Sequence, residues 1–278
     1  MRARRSGLLK DNAGYDLPAL LVGSEGTLGV ITSVRWRLVP LLTARVAALV
    51  PLPSIAAVAE LLSRVRPALQ SLHAAELMTD VGMRLVLDHL GASLPAREAP
   101  AYLLLECAAR SDPTDELVGA LDGAGIQHAV VADESGERAR LWRLREGITE
   151  AINAAGIPHK LDVGVPLNRL AGFAESVAAE VERVAPGSRT IVFGHLGDGN
   201  VHVNVLGPAP DDEAVDEAIL RLAASCGGTI SAEHGVGVAK ARWLSLARSP
   251  AELRAMAQIK RALDPDGILN PGAVLPTG

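Results

Sequence analysis

Two imidazoles and an amide lie close together in FGHLGDGNVHVNV, residues 193–205. His195 and His202 have six residues between them, around a Gly-Asp-Gly-Asn turn, and Asn204 follows two places beyond the second histidine. If the stretch is two strand segments joined by a turn, His202 and Asn204 project from one face, and the glycines let the chain bring His195 towards them. One further carboxylate would complete a catalytic-type zinc or manganese site with an open coordination position, as in two-histidine, one-glutamate sites. TISAEHGVG, residues 229–237, offers Glu233 at the end of a strand, followed at once by His234 and a glycine turn. Histidines that only cap or fill a core are the plain alternative. A phosphate-cradling loop is the poorer one, because GHLGDGN lacks the Gly-Lys-Ser/Thr ending and the following helix that supply an anion site.

Two other stretches carry donors. GSEGTLGVIT, residues 23–32, is dense in glycine but runs into a strand rather than a helix, so it is no Rossmann fingerprint. Gly23, Gly26 and Gly29 would let a flat or phosphorylated ligand approach the backbone, whereas pattern alone reads the stretch as a hairpin turn. On the helix from residue 141, Arg145 and Thr149 are four apart and face the same way, and Lys160 begins the strand that follows. Arginine can bind a carboxylate bidentately, with threonine and lysine adding donors. Taken singly, each such cation reads as a solvated surface charge.

The elements that must position these groups follow from periodicity. LLVGSEGTLGVITSVRWRLVP, residues 20–40, reads as a short strand, a glycine turn and an alternating strand with Val30, Thr32, Val34, Trp36 and Leu38 on one side. ARVAALVPLP is a second strand, and Ser54 is an N-cap for an amphipathic helix with apolar residues at 55, 58, 61, 62 and 65. AYLLLECA is a buried strand, a helix opens at Asp112-Pro113 and closes at Gly123, and QHAVVAD is the next strand. A helix with Leu141, Leu144, Ile148 and Ile152 on one face follows, then strand HKLDVGVP, a helix from Leu167, the strand-turn-strand of the histidines, a helix from Asp211 and a strand end at TISAEHG. Two βαβ-like passes around antiparallel strands predict an α+β fold, with ferredoxin-like sheets and helices on one face.

At 278 residues, 49% hydrophobic and 21% charged, the chain has material for one large or two medium cores. A net charge of -5 with both signs spread along the chain argues against nucleic acid, and Arg2, Arg4 and Arg5 are too few to change that. The apolar GLL after them is too short for a signal-peptide core, and no segment approaches the ~18 apolar residues of a membrane span, so the cytoplasm is the expected location. Cys107 and Cys226 form no CxxC pair, so any metal must use His, Asp or Glu.

KDNAGYDLPALLVGSEGTLGVIT, LREGITEA, GHLGDGNVHVNV, SAEHGVGVAK and ALDPDGILNPG occur in order across nearly the whole chain. Together they resemble the FAD-linked D-2-hydroxy-acid dehydrogenases of the vanillyl-alcohol-oxidase-type flavoproteins. The nearest likeness is to the D-2-hydroxyglutarate dehydrogenases, with D-lactate dehydrogenases and glycolate oxidase FAD subunits as near relatives. The resemblance implies an FAD enzyme with a divalent metal, zinc or manganese, that oxidises a D-2-hydroxy acid to the 2-oxo acid. It implies metal ligands at His195, His202 and Glu233, a general base at His234, and substrate contacts at Arg145, Thr149, Lys160 and Asn204. It also implies flavin contacts at Gly23, Ser24, Glu25, Gly26, Gly29, Ile31 and Asn270. Residues 1–42 would be the last part of an FAD-binding α+β domain, 43–255 the metal and substrate (cap) domain, and 256–278 a segment returning to the flavin.

Members of that family carry a long region before the point matching Met1, so the expectation is a truncated gene model, a degraded gene or half of a split enzyme. Its partners would be a small hydroxy acid, an unidentified electron acceptor and a separate FAD-domain polypeptide, with a homodimer as an open arrangement. A non-catalytic metal- and carboxylate-binding module is the alternative. A zinc hydrolase ranks last, because it gives no role to GSEGTLGVIT or ILNPG.

Overall fold

The computed structural model describes residues 13–276, so Arg2, Arg4, Arg5 and the start of the KDNAGYD stretch lie outside the described residues. In chain order the elements are α1 (Leu17–Leu21), β1 (Ala44–Leu52), α2 (Ile55–Val65), β2 (Leu72–Thr79), α3 (Asp80–Leu90), β3 (Ala101–Ala109), α4 (Thr114–Gly123), β4 (Val130–Ala132), α5 (Ser135–Ala155), β5 (His159–Gly164), α6 (Leu170–Val184), β6 (Arg189–His195), β7 (Asn200–Leu206), α7 (Glu213–Ser225) and α8 (Pro250–Leu263). The chain divides into two units, Leu41–Glu233 and Met1–Pro40 with His234–Gly278. Among the described residues no helix is long and apolar enough to cross a membrane.

The larger unit is built on one antiparallel sheet in the order β4-β1-β3-β2-β6-β7-β5. The α+β class read from the sequence is the observed one. β4-β1-β3-β2 is the strand order of a ferredoxin-like βαββαβ unit, with α3 inserted between β2 and β3. The second half, β5-α6-β6-β7-α7, follows the same course, but its fourth strand shrinks to a single bridge between Gly164 and Thr229. The two halves join where Glu76, Leu77 and Met78 of β2 lie opposite His195, Gly194 and Phe193 of β6.

Local chemistry explains most of these elements. Ser54 Oγ accepts the backbone N–H of Ala57 at 3.1 Å, which caps α2, and Val58, Leu61, Leu62 and Val65 form its buried stripe. α5 buries Leu141, Leu144, Ile148 and Ile152 together with Arg145. β1 and β3 are buried along almost their whole length, so both faces of the sheet need cover. α3 and α5 cover the face carrying Ala47, Leu49, Met78, Tyr102, Leu104, Ile191 and Phe193, and the remaining helices of this unit serve the other. The expectation of helices on one face is therefore corrected by α3 and α5. β2 and α3 had no counterpart in the sequence reading. TISAEHG is not a strand end either: only Thr229 bridges, and the residues after it run irregularly.

In the smaller unit the expected strand at residues 20–22 gives way to α1, whose Asp16 carboxylate accepts the N–H of Ala19 and which has proline in its first turn. Among the described residues the alternating segment after it is not assigned as a strand: Val30, Val34, Trp36 and Leu38, the side expected inward, are 62–90% exposed. Alternation specifies a buried face only where a neighbouring element covers it, and the sheet formed by the described residues does not include this segment. α8 begins with a capping box between Ser249 and Glu252. Lys260 Nζ donates to the carbonyls of Thr27 (2.8 Å) and Leu269 (2.6 Å) and pairs with Asp264, whose carboxylate also accepts the N–H groups of Ile268 and Leu269.

Candidate metal and substrate site

The face of the sheet under α5 turns polar across β2, β6, β7 and β5. Cross-strand register sets three rows: Glu76 opposite His195 opposite Asn200; Phe193 opposite His202 opposite Asp162; and Ile191 opposite Asn204 opposite Lys160. The period of two along each strand puts all of these side chains on one face. At Gly194, between the two histidine rows, any Cβ would run into the backbone of Asn200 and Val201, so the close approach of β6 and β7 requires glycine there.

His195 Nε2 and His202 Nε2 lie 3.8 and 3.9 Å from the same oxygen of Glu233, Oε2, and the two rings meet edge to face at 5.3 Å between centroids. Behind them, His195 Nδ1 is 2.8 Å from Glu76 Oε1 and His202 Nδ1 is 3.7 Å from Asp162 Oδ1. At 2.8 Å the Glu76 carboxylate fixes which nitrogen of His195 carries the proton and leaves its forward lone pair for a ligand, whereas Asp162 Oδ1 acts on His202 as a nearby charge, beyond hydrogen-bond distance. Asp162 also holds the loop that delivers Glu233, its Oδ2 accepting the N–H groups of Ala232 (3.1 Å) and Glu233 (2.8 Å). Asn200 Nδ2 donates to Glu233 Oε2 at 2.9 Å and orients that carboxylate. Burial first, then the Arg145 guanidinium, push the His202 pKa from 6.5 down to about 4 against the opposing pull of Asp162, so the ring is neutral at pH 7.

Arg145 reaches this patch from α5. Its Nε donates to Glu76 Oε2 at 2.8 Å, its guanidinium lies 4.7 Å above the Phe193 ring, and its Nη2 is enclosed with no hydrogen-bond partner among the described residues. Asn200 Oδ1 is likewise enclosed and without a partner. A buried donor and a buried acceptor left open beside a cluster of metal-type ligands are suited to a polar guest. A cavity of about 460 Å³ adjoins the cluster, lined by Glu76, His195, Asp198, Glu233, Arg66 and His73 among others.

His195 and His202, which the family resemblance implies as metal ligands, both approach Oε2 of Glu233, the third, and imidazole and carboxylate are donor types that a divalent ion takes. Asn204 is buried on the same face, beside Lys160, which is exposed. Thr149, one turn beyond Arg145 on α5, is also exposed. His234 follows Glu233 directly, is exposed, and is the first residue of the smaller unit's second segment. Sequence reasoning missed Glu76, Asp162 and Asn200. Asn200 stands inside the glycine-rich turn already singled out, while Glu76 and Asp162 declare their partners only once the strands are paired.

Among the residues expected at the flavin, Gly23, Glu25 and Gly26 have positive φ, and Asn270 does too. Both Glu25 carboxylate oxygens are occupied, accepting the N–H groups of Val236 and Gly237 at 2.7 Å each. The Glu25 carbonyl accepts Asn270 Nδ2 at 2.6 Å. The carbonyl of Ser24 accepts both the N–H and the hydroxyl of Thr27. These side chains therefore hold the turn together, Gly29 packs near Leu21, and Ile31 is half exposed.

A two-fold ferredoxin-like sheet with a histidine–carboxylate cluster defines a class of cap domains, and comparison with known proteins gives the family. Residues 41–274 match the model described as FAD linked oxidases, C-terminal domain, and the chain belongs to that family. It is 38% identical over 283 residues to the mitochondrial D-2-hydroxyglutarate dehydrogenase of Bos taurus, covering 98% of this chain and 52% of that protein. It is 35% identical over 286 residues to the D-2-hydroxyglutarate dehydrogenase of Xanthomonas citri pv. viticola, covering 98% and 60%. The chain therefore spans between half and three-fifths of the length of these relatives. Among solved structures, alkyldihydroxyacetonephosphate synthase shares the fold at a TM-score of 0.61 and 14% identity, over 95% of this chain and 50% of that one. So does p-cresol methylhydroxylase with substrate bound, at 0.60 and 14%, over 85% and 54%.

Proposed function

We propose that this chain supplies the metal- and substrate-binding part of an FAD-dependent dehydrogenase that oxidises a D-2-hydroxy acid to the 2-oxo acid, with 2-hydroxyglutarate as first choice and lactate or glycolate next. The observation that carries the reading is the convergence of two imidazole nitrogens on one Glu233 oxygen. The names of the most similar relatives support it. Residues 43–255 are assigned to metal and substrate binding, residues 1–42 to the flavin-domain edge, and 256–278 to a segment returning to the flavin.

His195, His202 and Glu233 would hold a divalent ion, zinc or manganese, which when bound acidifies the hydroxyl of a coordinated hydroxy acid. FAD supplies the two-electron acceptor that conversion of a hydroxy acid to an oxo acid requires. His234, adjacent in sequence to Glu233, takes the hydroxyl proton on its imidazole. Arg145 binds a substrate carboxylate through its open Nη2, Asn204 adds an amide, and Thr149 and Lys160 bind the second carboxylate that distinguishes hydroxyglutarate from lactate. Gly23, Ser24, Gly26, Gly29 and Ile31 offer backbone and an apolar side chain to the flavin, while Glu25 and Asn270 shape that turn from within.

The test is turnover with a dye acceptor on D-2-hydroxyglutarate, D-lactate and glycolate by the FAD-loaded enzyme, together with elemental analysis of bound metal. About one zinc or manganese per chain, lost in His202→Ala, with hydroxyglutarate the preferred substrate and Lys160→Ala selectively impairing it, is the expected result. A chain that binds no metal overturns the site. Equal loss of lactate and hydroxyglutarate turnover in Lys160→Ala overturns the substrate choice alone.

A further inference from the structure

Glu76 is a carboxylate with almost no solvent exposure in the middle of an otherwise apolar strand segment, Ala75 to Met78. Such a group persists only if both oxygens are engaged. Here each oxygen has a different partner: Oε2 takes Arg145 Nε and Oε1 takes His195 Nδ1, both at 2.8 Å. One partner sits on α5 and the other on β6, so a single side chain ties the arginine and the histidine into one rigid unit at the seam between the two halves of the sheet. His195 itself is about two-fifths exposed and open to the cavity, so this tie is what orients its ring.

Glu106, on the neighbouring strand β3, gives an internal control. It is equally buried and equally bidentate, accepting Arg45 Nη1 at 2.6 Å and Trp142 Nε1 at 2.8 Å. Neither of its partners is among the residues that converge on Glu233, so Glu106 is the matched carboxylate outside the cluster. Glu76 differs in what it holds: one ligand of the cluster and the one buried arginine whose Nη2 is left open.

We propose that Glu76 is the positioning residue of the site. Its Oε1 keeps the His195 proton on Nδ1 and the Nε2 lone pair turned towards the ion, while its Oε2 fixes Arg145 through Nε and leaves Nη2 for the substrate carboxylate. The proposal rests on the metal and substrate reading above. It predicts that metal and carboxylate affinities fall together when Glu76 changes, because one group sets both. Losing the carboxylate behind a ligating histidine weakens metal binding by about 10–100-fold.

The experiment uses the full chain and compares it with Glu76→Gln and Glu106→Gln. Zinc affinity is read by competition with a fluorescent chelator, the ligand field by the visible spectrum of the cobalt-substituted protein, and carboxylate binding by titration with 2-oxoglutarate at saturating zinc. For Glu76→Gln the expected result is zinc binding weakened about 10–100-fold, an altered cobalt spectrum and weaker 2-oxoglutarate binding, with Glu106→Gln unchanged in all three. Affinities and spectrum unchanged in a folded Glu76→Gln overturn the inference and leave the metal reading standing, as does an equal loss in both variants. No zinc binding by the unaltered chain overturns both. Should Glu76→Gln not fold, Glu76→Asp, which keeps the charge but withdraws it by one methylene, carries the same comparison.

Discussion

The two ferredoxin-like halves of the sheet follow one course and end differently. In the first, β4 completes the edge by pairing with three residues of β1, Ala47, Ala48 and Leu49. In the second, the chain after α7 makes one bridge at Thr229 and leaves the ladder. Asp162 then replaces the missing rungs, its carboxylate taking the N–H groups of Ala232 and Glu233 that a strand partner would otherwise take. An interrupted strand frees Glu233 to turn across the sheet towards the histidines, which a completed ladder would not allow. The comparison teaches that the half with the weaker edge is the one that brings Glu233 to the histidines, and that a side chain stands in for backbone pairing where it does so.

Breaking that stand-in should have the largest effect. Asp162→Ala leaves two backbone donors without an acceptor and removes the support behind His202, so zinc affinity measured against a chelator should fall by more than about 10-fold. Urea unfolding of the same variant should show a loss on the order of 2–4 kcal/mol. Acid comes next. The folded pKa of His202, about 4, lies below its ordinary 6.5, so under pH 6.5 the unfolded chain takes a proton that the folded chain refuses. Stability of the metal-free protein should therefore fall between pH 6.5 and about 4 by an amount on the order of 3 kcal/mol relative to His202→Asn, and this difference should level off below pH 4. Urea midpoints of both proteins across that range check it.

Away from the seam at β2, the first half should respond in stability and not in binding. Glu106→Gln weakens the hydrogen bonds that the buried Glu106 carboxylate accepts from Arg45 and Trp142 and should cost about 1–3 kcal/mol in thermal or urea unfolding, with zinc affinity unaltered. Ser54→Ala, which removes the cap of α2, should cost about 1 kcal/mol by urea unfolding and nothing in zinc affinity. A fall in zinc affinity in either variant would erase the distinction between the halves.

How much of this could be read from the sequence depended on how local each signal was. His195, His202 and Asn204 were legible because alternation and a glycine-rich turn are local, and the apolar stripes of α2 and α5 were legible for the same reason. Glu76 and Asp162 were not, since a lone carboxylate in an apolar strand declares its partner only once β2 is set against β6 and β5 against β7. The strand expected at Val30–Leu38 lies outside the sheet formed by the described residues for the converse reason: its alternation is real, but strand pairing is a property of two segments and cannot be read from one. Helices on both faces were likewise hidden, because the apolar stripe of a helix such as α5 does not say which face of the sheet it covers.

The seam between β2 and β6 is three rungs long, and Glu76 and His195 are its last rung. With an ion held as proposed, His195, His202 and Glu233, all of the second half, would be fastened together, and Glu76 would carry that fastening across the seam through its bond to His195 Nδ1. The sheet would then act as a clasp whose catch is one carboxylate: amide protons at the seam should exchange more slowly with solvent as zinc is added, and Glu76→Gln should abolish that slowing.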